Sequence, residues 1–198
     1  MKKKLGMFIA ILLQMSMLSS CGIIRASQST TQTMPLSEAL REYQIWYAVN
    51  AEGEVNHESE VMFVMVIQNG IITDYTYERD SRETIGKFAT MKSDLEVIDY
   101  LEREVPLYGA YEYELSMYAD KNGKIVGEGI MVIIPEEPES ESGYLLGEQT
   151  TMARIHDARY SGYVGVGRDE RHFYITRINS SISFVLDGEQ PTQELLKY

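Results

Sequence analysis

Cys21 is the residue whose type and position most directly imply a chemical reaction. It is the only cysteine among the 198 residues, and a thiolate is the best nucleophile that a protein side chain offers. Two small residues, Ser19 and Ser20, stand immediately before it, and Leu18 precedes them. Alkylation of this sulfur by a membrane enzyme is therefore the first chemistry to consider.

The residues before Cys21 have the three regions of an export signal. Lys2, Lys3 and Lys4 form a basic start, and an uncharged, mostly apolar run follows from residue 5 to residue 18. This run is shorter than the about 20 apolar residues that a membrane-spanning helix needs. The pattern predicts an exported chain.

The stretch Leu18-Ser19-Ser20-Cys21 resembles the lipobox of bacterial lipoproteins. The resemblance implies cleavage between Ser20 and Cys21 and a diacylglycerol thioether, with acyl chains such as palmitate, on Cys21. It also implies a location on the extracytoplasmic face of the cell membrane, where two acyl chains hold a protein firmly. The alternatives are an ordinary secretory signal with an incidental cysteine, and a released fragment ending at Ser20 that is itself a signalling peptide.

From Cys21 onward the chain resembles the small, uncharacterised cell-surface lipoproteins of Gram-positive bacteria. An outer-membrane lipoprotein carries the same kind of lipobox, so both settings stay open. The resemblance implies a location and supplies no catalytic residue. Its other short segments are Ile45-Trp46-Tyr47, Asn69-Gly70, Ile175-Thr176-Arg177 and Phe184-Val185-Leu186-Asp187.

The predicted organisation is a signal peptide at 1–20, a lipidated flexible tether at 21–34 and a single extracytoplasmic domain at 35–198. The tether is rich in Ser, Thr and Gln and has no apolar period. The whole chain has a net charge of -12. Such a charge repels nucleic acid and anionic lipid headgroups, so we expect no nucleic-acid partner.

The domain is predicted to be α+β, mainly an antiparallel sheet built from hairpins with one main helix. Asn69-Gly70 is a strong hairpin signal because both residues tolerate positive φ. A second hairpin is expected around the turn at 120–123, an exposed acidic loop at 135–143, and a loose tail at 187–198. Further strands are expected at 44–50, 149–155, 160–166, 172–178 and 182–186.

The main helix is predicted to begin at Ser93. Ser93 and Glu96 form a capping box, and Pro106 ends the run. The apolar residues that recur at helical spacing, and that we expect to face the core, are Leu95, Ile98, Leu101 and Val105.

No cluster in the sequence has the pattern of a metal, phosphate or catalytic site. His57 with Glu58 and Glu60 in one loop is a poor ligand set for zinc, and His156-Asp157 lacks further histidines. His172 is expected to form hydrogen bonds rather than bind a metal. The remaining candidates lack the spacing that their chemistry needs: Asp120-Lys121-Asn122-Gly123 as a calcium loop, Glu136, Glu137, Glu139 and Glu141 as a cation site, and Gly165-Val166-Gly167 as a phosphate loop. We expect no cofactor and no metal.

The aromatic residues allow two interpretations, a recognition surface or cross-strand packing, and packing is favoured. The groups concerned are Trp46 with Tyr47, Tyr75 with Tyr77, Tyr108 with Tyr111 and Tyr113, and Tyr160 with Tyr163. The leading hypothesis is a lipid-anchored binding or accessory module that contacts an envelope protein, peptide or glycan, rather than an enzyme. The alternatives are an envelope hydrolase with a carboxylate pair and an acidic masking or immunity protein that captures cationic peptides.

Overall fold

The computed structural model of the chain describes residues 32–119, 122, 125–134, 142–165 and 172–189. The predicted signal peptide, Ser20 and Cys21 lie outside these residues, as do the acidic loop from 135 to 141 and the tail after 189. The described residues from Gln32 onward belong to one compact unit. No helix in this part of the chain is long and apolar enough to cross a bilayer.

The described elements are eleven strands, three α-helices and two short 3-10 turns. The strands are β1 Gln32–Pro35, β2 Ile45–Asn50, β3 Glu60–Gln68, β4 Ile71–Thr76, β5 Glu83–Thr84, β6 Leu107–Ala119, β7 Ile125–Ile133, β8 Ser142–Ile155, β9 Ala158–Gly165, β10 His172–Ile178 and β11 Ile182–Val185. The helices are α1 Leu36–Glu42, α2 Ile85–Thr90 and α3 Asp94–Glu104, and the 3-10 turns are Arg79–Ser81 and Asp187–Glu189.

Eight of these strands form a closed antiparallel barrel. Each strand pairs with the next along the chain, in the order β2, β3, β4, β6, β7, β8, β9 and β10, and β10 then pairs with β2. The closing register places His172 opposite Asn50 and Ile175 opposite Tyr47. The connections place the β3–β4, β6–β7 and β8–β9 turns at one end of the barrel, here called the sealed end. The other end is called the open end.

The prediction of an α+β fold with one main helix is therefore wrong, because the domain is mostly β. Local patterns located most of the barrel strands and the β3–β4 and β6–β7 hairpins, but they missed β1, β5 and the first half of β8. The closure depends on a pairing between residues more than 120 positions apart, which no local pattern indicates. A second helix, α2, was also missed because it has only six residues and contains Gly86.

The β3–β4 hairpin confirms the prediction made from Asn69-Gly70. Gln68 pairs with Ile71, and Asn69 and Gly70 have φ angles of 54° and 79°. Both are in the left-handed region that such a turn requires. This turn fixes the register of two barrel strands.

Side chains from all around the barrel fill its interior. Trp46 packs against Tyr163 and Phe184, with ring centroids 6.2 Å and 5.8 Å away, and its indole Nε1 donates to the carbonyl of Tyr43 at 2.9 Å. Trp46 is 1% exposed. The other interior apolar residues include Met65, Ile67, Ile72, Tyr113, Leu115, Ile130, Val132 and Leu146. An eight-stranded barrel is just wide enough for side chains to fill in this way.

A second core lies outside the barrel, where α2 and α3 cover β2, β3 and β10. Phe88 of α2 packs on Tyr47, with ring centroids 5.1 Å apart. From α3, Val97 and Leu101 are buried, whereas Leu95 is 72% exposed. The predicted start of α3 is confirmed, since Ser93 Oγ accepts from the backbone N–H of Glu96. The inclusion of Leu95 in its buried face is wrong, because the helix turns Val97 toward the barrel instead.

The sealed end of the barrel is covered by β1, α1 and β11. β1 and β11 pair in parallel, from Gln32 opposite Ile182 to Pro35 opposite Val185. β1 thus includes residues that the sequence assigned to the tether. As far as the structure describes them, the buried residues of the two cores lie between Met34 and Leu186.

A carboxylate fastens this cover. Asp187 is 5% exposed and accepts from the backbone N–H of Ser37 at 2.9 Å and from its hydroxyl at 2.7 Å. It therefore caps the start of α1, where Pro35 offers no side-chain cap. The backbone N–H of Asp187 in turn donates to the carboxylate of Glu128 at 2.9 Å. The loose tail predicted from residue 187 is wrong at its first residues.

Candidate binding site at the open end of the barrel

Asp74 places a carboxylate inside the barrel toward its open end. In β4 it follows Ile72 by two residues, so both side chains point to the interior, and Asp74 is only 4% exposed. Its Oδ2 accepts from the hydroxyl of Tyr144 at 2.5 Å, and its Oδ1 accepts from that of Thr76 at 3.3 Å. Tyr144 lies on β8, and β6 and β7 separate it from β4. The bond from Tyr144 therefore crosses the barrel interior.

Three aromatic rings pack against one another beside Asp74. The ring centroid of Tyr144 lies 5.2 Å from that of Phe63 and 5.8 Å from that of Tyr174, and the centroids of Phe63 and Tyr174 are 6.1 Å apart. Phe63 and Tyr144 are partly exposed, whereas Tyr174 is buried. The cluster is therefore partly accessible to solvent at Phe63 and Tyr144 and buried at Tyr174.

Burial dominates the electrostatics of this cluster. Removal of the Asp74 carboxyl from water raises its pKa, and the hydrogen bonds from Tyr144 and Thr76 lower it in part. Burial, followed by the charge of Asp74, raises the pKa of Tyr174 to about 12 and raises that of Tyr144 further. Both tyrosines therefore keep their protons at neutral pH, and the hydroxyl of Tyr144 donates to Asp74.

The arrangement suits recognition better than covalent chemistry. Asp74 has no Lys, Arg or His within ion-pair distance among the described residues, and its recorded side-chain partners are hydroxyls. A carboxylate in a low-dielectric setting attracts a cation or a strong donor more than it does in water. Aromatic faces beside it favour a cation further.

A second concave surface lies on the outside of the barrel. This groove of about 580 Å³ is formed where α2 ends, at the β8–β9 turn and after the end of β10. Its charged and titratable lining residues are Lys92, His156, Asp157, Arg159 and Arg177. Within the described residues, Lys92, Arg159 and Arg177 have no carboxylate oxygen within 4.0 Å. The groove is thus cationic on a strongly acidic chain.

Arg177 is held in this groove by backbone groups of α2 and the residue after it. Its Nη1 donates to the carbonyl of Met91 and its Nη2 to that of Phe88, both at 2.8 Å. These carbonyls lie at the C-terminal end of α2, where orphan acceptors need donors. Arg177 therefore ties β10 to α2.

The structure brings together two histidines that the sequence placed in separate loops. The rings of His57 and His156 lie 6.2 Å apart, and Nε2 of His57 is 3.8 Å from Oε1 of Glu58. No group of three or more metal-ligating side chains occurs in the part of the chain that the structure describes. His172 begins β10.

The other predicted candidates divide into buried residues and residues outside the described ranges. Most of the tyrosines proposed as a recognition surface are buried in the two cores, as the packing interpretation predicted, whereas Tyr108 is 71% exposed. Asp120, Lys121 and Gly123, the four glutamates of the acidic loop, and Val166 and Gly167 lie outside the described residues, as do Ser20 and Cys21.

Two carboxylates come together, but not as a hydrolase pair. Glu128 and Asp187 are both buried, under the cover of the sealed end, and Asp187 is bonded to Ser37 and to Glu128 through its own N–H. Glycoside cleavage needs two carboxyls that face each other across a cleft. This pair instead fastens α1 to the barrel.

The sequence analysis did not single out Asp74, although its position contained a signal. Ile72 and Asp74 have the same parity in a strand next to the Asn69-Gly70 turn, so a buried Ile72 implies an inward Asp74. Tyr144 had no such signal, because it follows the acidic loop directly. Comparison of the chain with protein-family models, curated proteins and solved structures gave no match.

Proposed function

We propose that the protein is a lipid-anchored, extracytoplasmic binding protein whose open barrel end binds a ligand with a cationic group. The observation that carries the proposal is the Asp74 carboxylate, buried inside the barrel with hydroxyl partners and beside three aromatic rings. The lipobox resemblance at Leu18-Ser19-Ser20-Cys21 supports the anchor.

The partly buried side chains at the open end support an entrance there. The sealed end is covered by β1, α1 and β11, and Asp187 fastens that cover. At the open end, Phe63, Tyr111 and Tyr144 are only partly buried. A ligand therefore reaches Asp74 from the open end.

The chemistry of the cluster selects a cation over an anion. An anion would lie against a carboxylate in a low-dielectric setting, which is unfavourable. A cation gains the charge of Asp74 and the faces of the neighbouring rings, and cation–π contacts alone contribute about 0.5–2 kcal/mol. The class includes amines, quaternary ammonium groups and lysine-rich peptides.

The binding test compares wild-type residues 22–198, which are the predicted mature chain without the lipid-accepting Cys21, with the same residues carrying Asp74→Asn. Methylammonium, tetramethylammonium, choline and spermidine serve as probes, and calorimetry measures their affinity. We expect at least one probe to bind the wild type and to lose at least about tenfold in affinity, or 1.4 kcal/mol, in Asp74→Asn.

The matched control for this test is Asp99→Asn, which removes a charge from an exposed position on α3. It is expected to bind like the wild type. Equal losses in Asp74→Asn and Asp99→Asn, or no binding of any probe to the wild type, would contradict the assignment of the open end to a cation.

The anchor has its own test, which does not depend on the ligand. Cys21→Ala removes the sulfur that the lipobox resemblance makes the lipid acceptor, so we expect an uncleaved precursor or loss of the protein from the membrane fraction. Mass spectrometry of the native N-terminus provides the direct measurement. A wild-type chain that begins at Met1 or carries an unmodified thiol would contradict the anchor.

A further inference from the structure

We infer that the cationic groove on the outside of the barrel binds the phosphate groups of anionic lipids in the membrane that holds the anchor. The groove is the one lined by Lys92, Arg159 and Arg177. This inference rests on the proposed anchor for its biological setting. The binding itself is a property of the folded domain.

The charges of the groove contrast with those of the chain as a whole. The chain has 30 acidic and 18 basic residues. Elsewhere on the described surface, Arg82 and Lys87 are paired with glutamates, whereas Arg79 and Arg103 are exposed without an ion-pair partner among the described residues. The groove differs from these positions because several cations line one concave surface. In the groove, Lys92 and Arg159 are exposed and have no ion-pair partner among the described residues. They are therefore available to an anionic ligand.

The carboxylates near the groove do not cancel this charge. Asp157 lines it and lies 3.9 Å from Arg154, which adds a further cation at the rim. Asp94 begins α3 and is near enough to Arg177 to act on it electrostatically. Glu96 is a third carboxylate, because it accepts from the backbone N–H of Lys92 at 2.8 Å. The four cations outnumber these three carboxylates. Charges on the far side of the barrel lie beyond the Debye length of about 8–10 Å and are largely screened.

The position of the groove places it near the start of the described chain. Asn179 lines the groove, and Ile182, three residues later, is the register partner of Gln32. Only eleven residue steps separate Gln32 from Cys21, and a chain of that length spans at most about 40 Å. An anchor at Cys21 therefore limits the distance from the lipid surface to Gln32 to about 40 Å, and with it limits the distance to the groove.

Lipid phosphate is the anion that is consistent with both the positive charge of the groove and its limited distance from the proposed anchor. A bacterial membrane that contains anionic lipid attracts a Lys or Arg near its surface by about 1 kcal/mol each, which corresponds to about fivefold in binding. The negative net charge led us to expect repulsion of the whole domain by such headgroups. At the groove we expect attraction of these headgroups instead of repulsion.

The test measures sedimentation of wild-type residues 22–198, which lack the lipid-accepting Cys21, with vesicles of phosphatidylglycerol or of phosphatidylcholine at low ionic strength. We expect the chain to sediment with phosphatidylglycerol and not with phosphatidylcholine, and the binding to weaken as salt is added. The variant Lys92→Glu with Arg159→Glu is expected to bind at least about 25-fold more weakly, because two favourable contacts are lost.

The matched control is Arg79→Glu with Arg103→Glu, which changes the net charge by the same amount at exposed positions outside the groove. It is expected to lose less than about threefold. Equal losses in the two variants would assign the effect to net charge and overturn the inference, as would absence of sedimentation with phosphatidylglycerol. Competition by millimolar glycerol phosphate would assign the groove to a soluble phosphate ester and overturn the lipid assignment.

This experiment and the anchor test fail independently. Vesicle binding by a chain without lipid says nothing about Cys21, and an unmodified Cys21 leaves the groove intact. Intact vesicle binding together with a missing lipid would refute the anchor alone.

Discussion

Among the described residues of this domain, three carboxylates are buried. Asp74 lies inside the barrel with hydroxyl partners, and Asp187 and Glu128 lie beneath the cover of the sealed end. A buried ionised carboxylate is costly unless hydrogen bonds satisfy it. Asp187 receives two such bonds from Ser37 and thereby fixes α1, whereas Asp74 receives hydroxyl bonds that a ligand could supplement.

The pH dependence of stability provides a test of the Asp74 environment. Burial raises its pKa above 3.8, so the folded state holds the proton more tightly than the unfolded chain does. Ionisation of Asp74 therefore costs stability as the pH rises from the unfolded value to the folded one. We expect Asp74→Asn to gain free energy of unfolding relative to wild type over this rise. Urea unfolding from pH 3.5 to pH 7 measures it, and a pH-independent difference would contradict the assignment.

The bonds of Asp187 predict a large loss on truncation. Asp187→Ala leaves the N–H and the hydroxyl of buried Ser37 without their acceptor, at a cost of about 2–4 kcal/mol. Urea unfolding provides the measurement, and Asp80→Ala, at an exposed position, is the control, with a change within about 0.5 kcal/mol. Equal stability of the two variants would show that the cover does not depend on this carboxylate.

At the residue scale, the sequence predicted local structure correctly where a pattern is compatible with a single backbone geometry. Asn69-Gly70 and the Ser93 cap specify backbone geometry within a few residues, and both predictions are confirmed. The partners of Asp74 and Asp187 lie 70 and 150 positions away. No spacing rule connects such pairs, so the candidate site emerged only from the fold.

At the scale of elements, α3 shows how helical periodicity is resolved by packing. Leu95, Val97, Ile98 and Leu101 are all apolar, so the sequence is compatible with more than one buried face. The structure buries Val97 and Leu101, four residues apart, and leaves Leu95 in solvent. The approach of α3 to the barrel decides the face, and the helix alone does not encode that approach.

The two leucines of α3 provide a direct comparison. Leu101→Ala should cost about 2–5 kcal/mol because it opens a cavity in a fully buried position. Leu95→Ala, the same chemical change on the same helix, should alter stability by less than about 0.5 kcal/mol. Urea unfolding of the two variants measures the difference. Similar losses would restore the face predicted from the sequence.

At the scale of the whole molecule, closure is the feature that local patterns could not supply. Nearly every barrel strand was located from alternation and turn residues, and hairpin order gave the correct neighbours. The β2–β10 pairing then converts an open sheet into a barrel with an inside and two ends. Only this pairing gives the sheet an interior and an exterior. It therefore places Asp74 inside the barrel and the groove on its outer surface.

The cover of the sealed end also has a mechanical consequence. β1 begins at Gln32, so force applied through the preceding chain enters the domain at the strand that lies parallel to β11. A force directed along β1 loads its four register pairs with β11 in shear, so that they resist together rather than one at a time. Next along the chain, Asp187 holds Ser37. A pull from the proposed anchor along β1 therefore meets four register pairs and the two hydrogen bonds of Asp187 before it reaches any strand of the barrel.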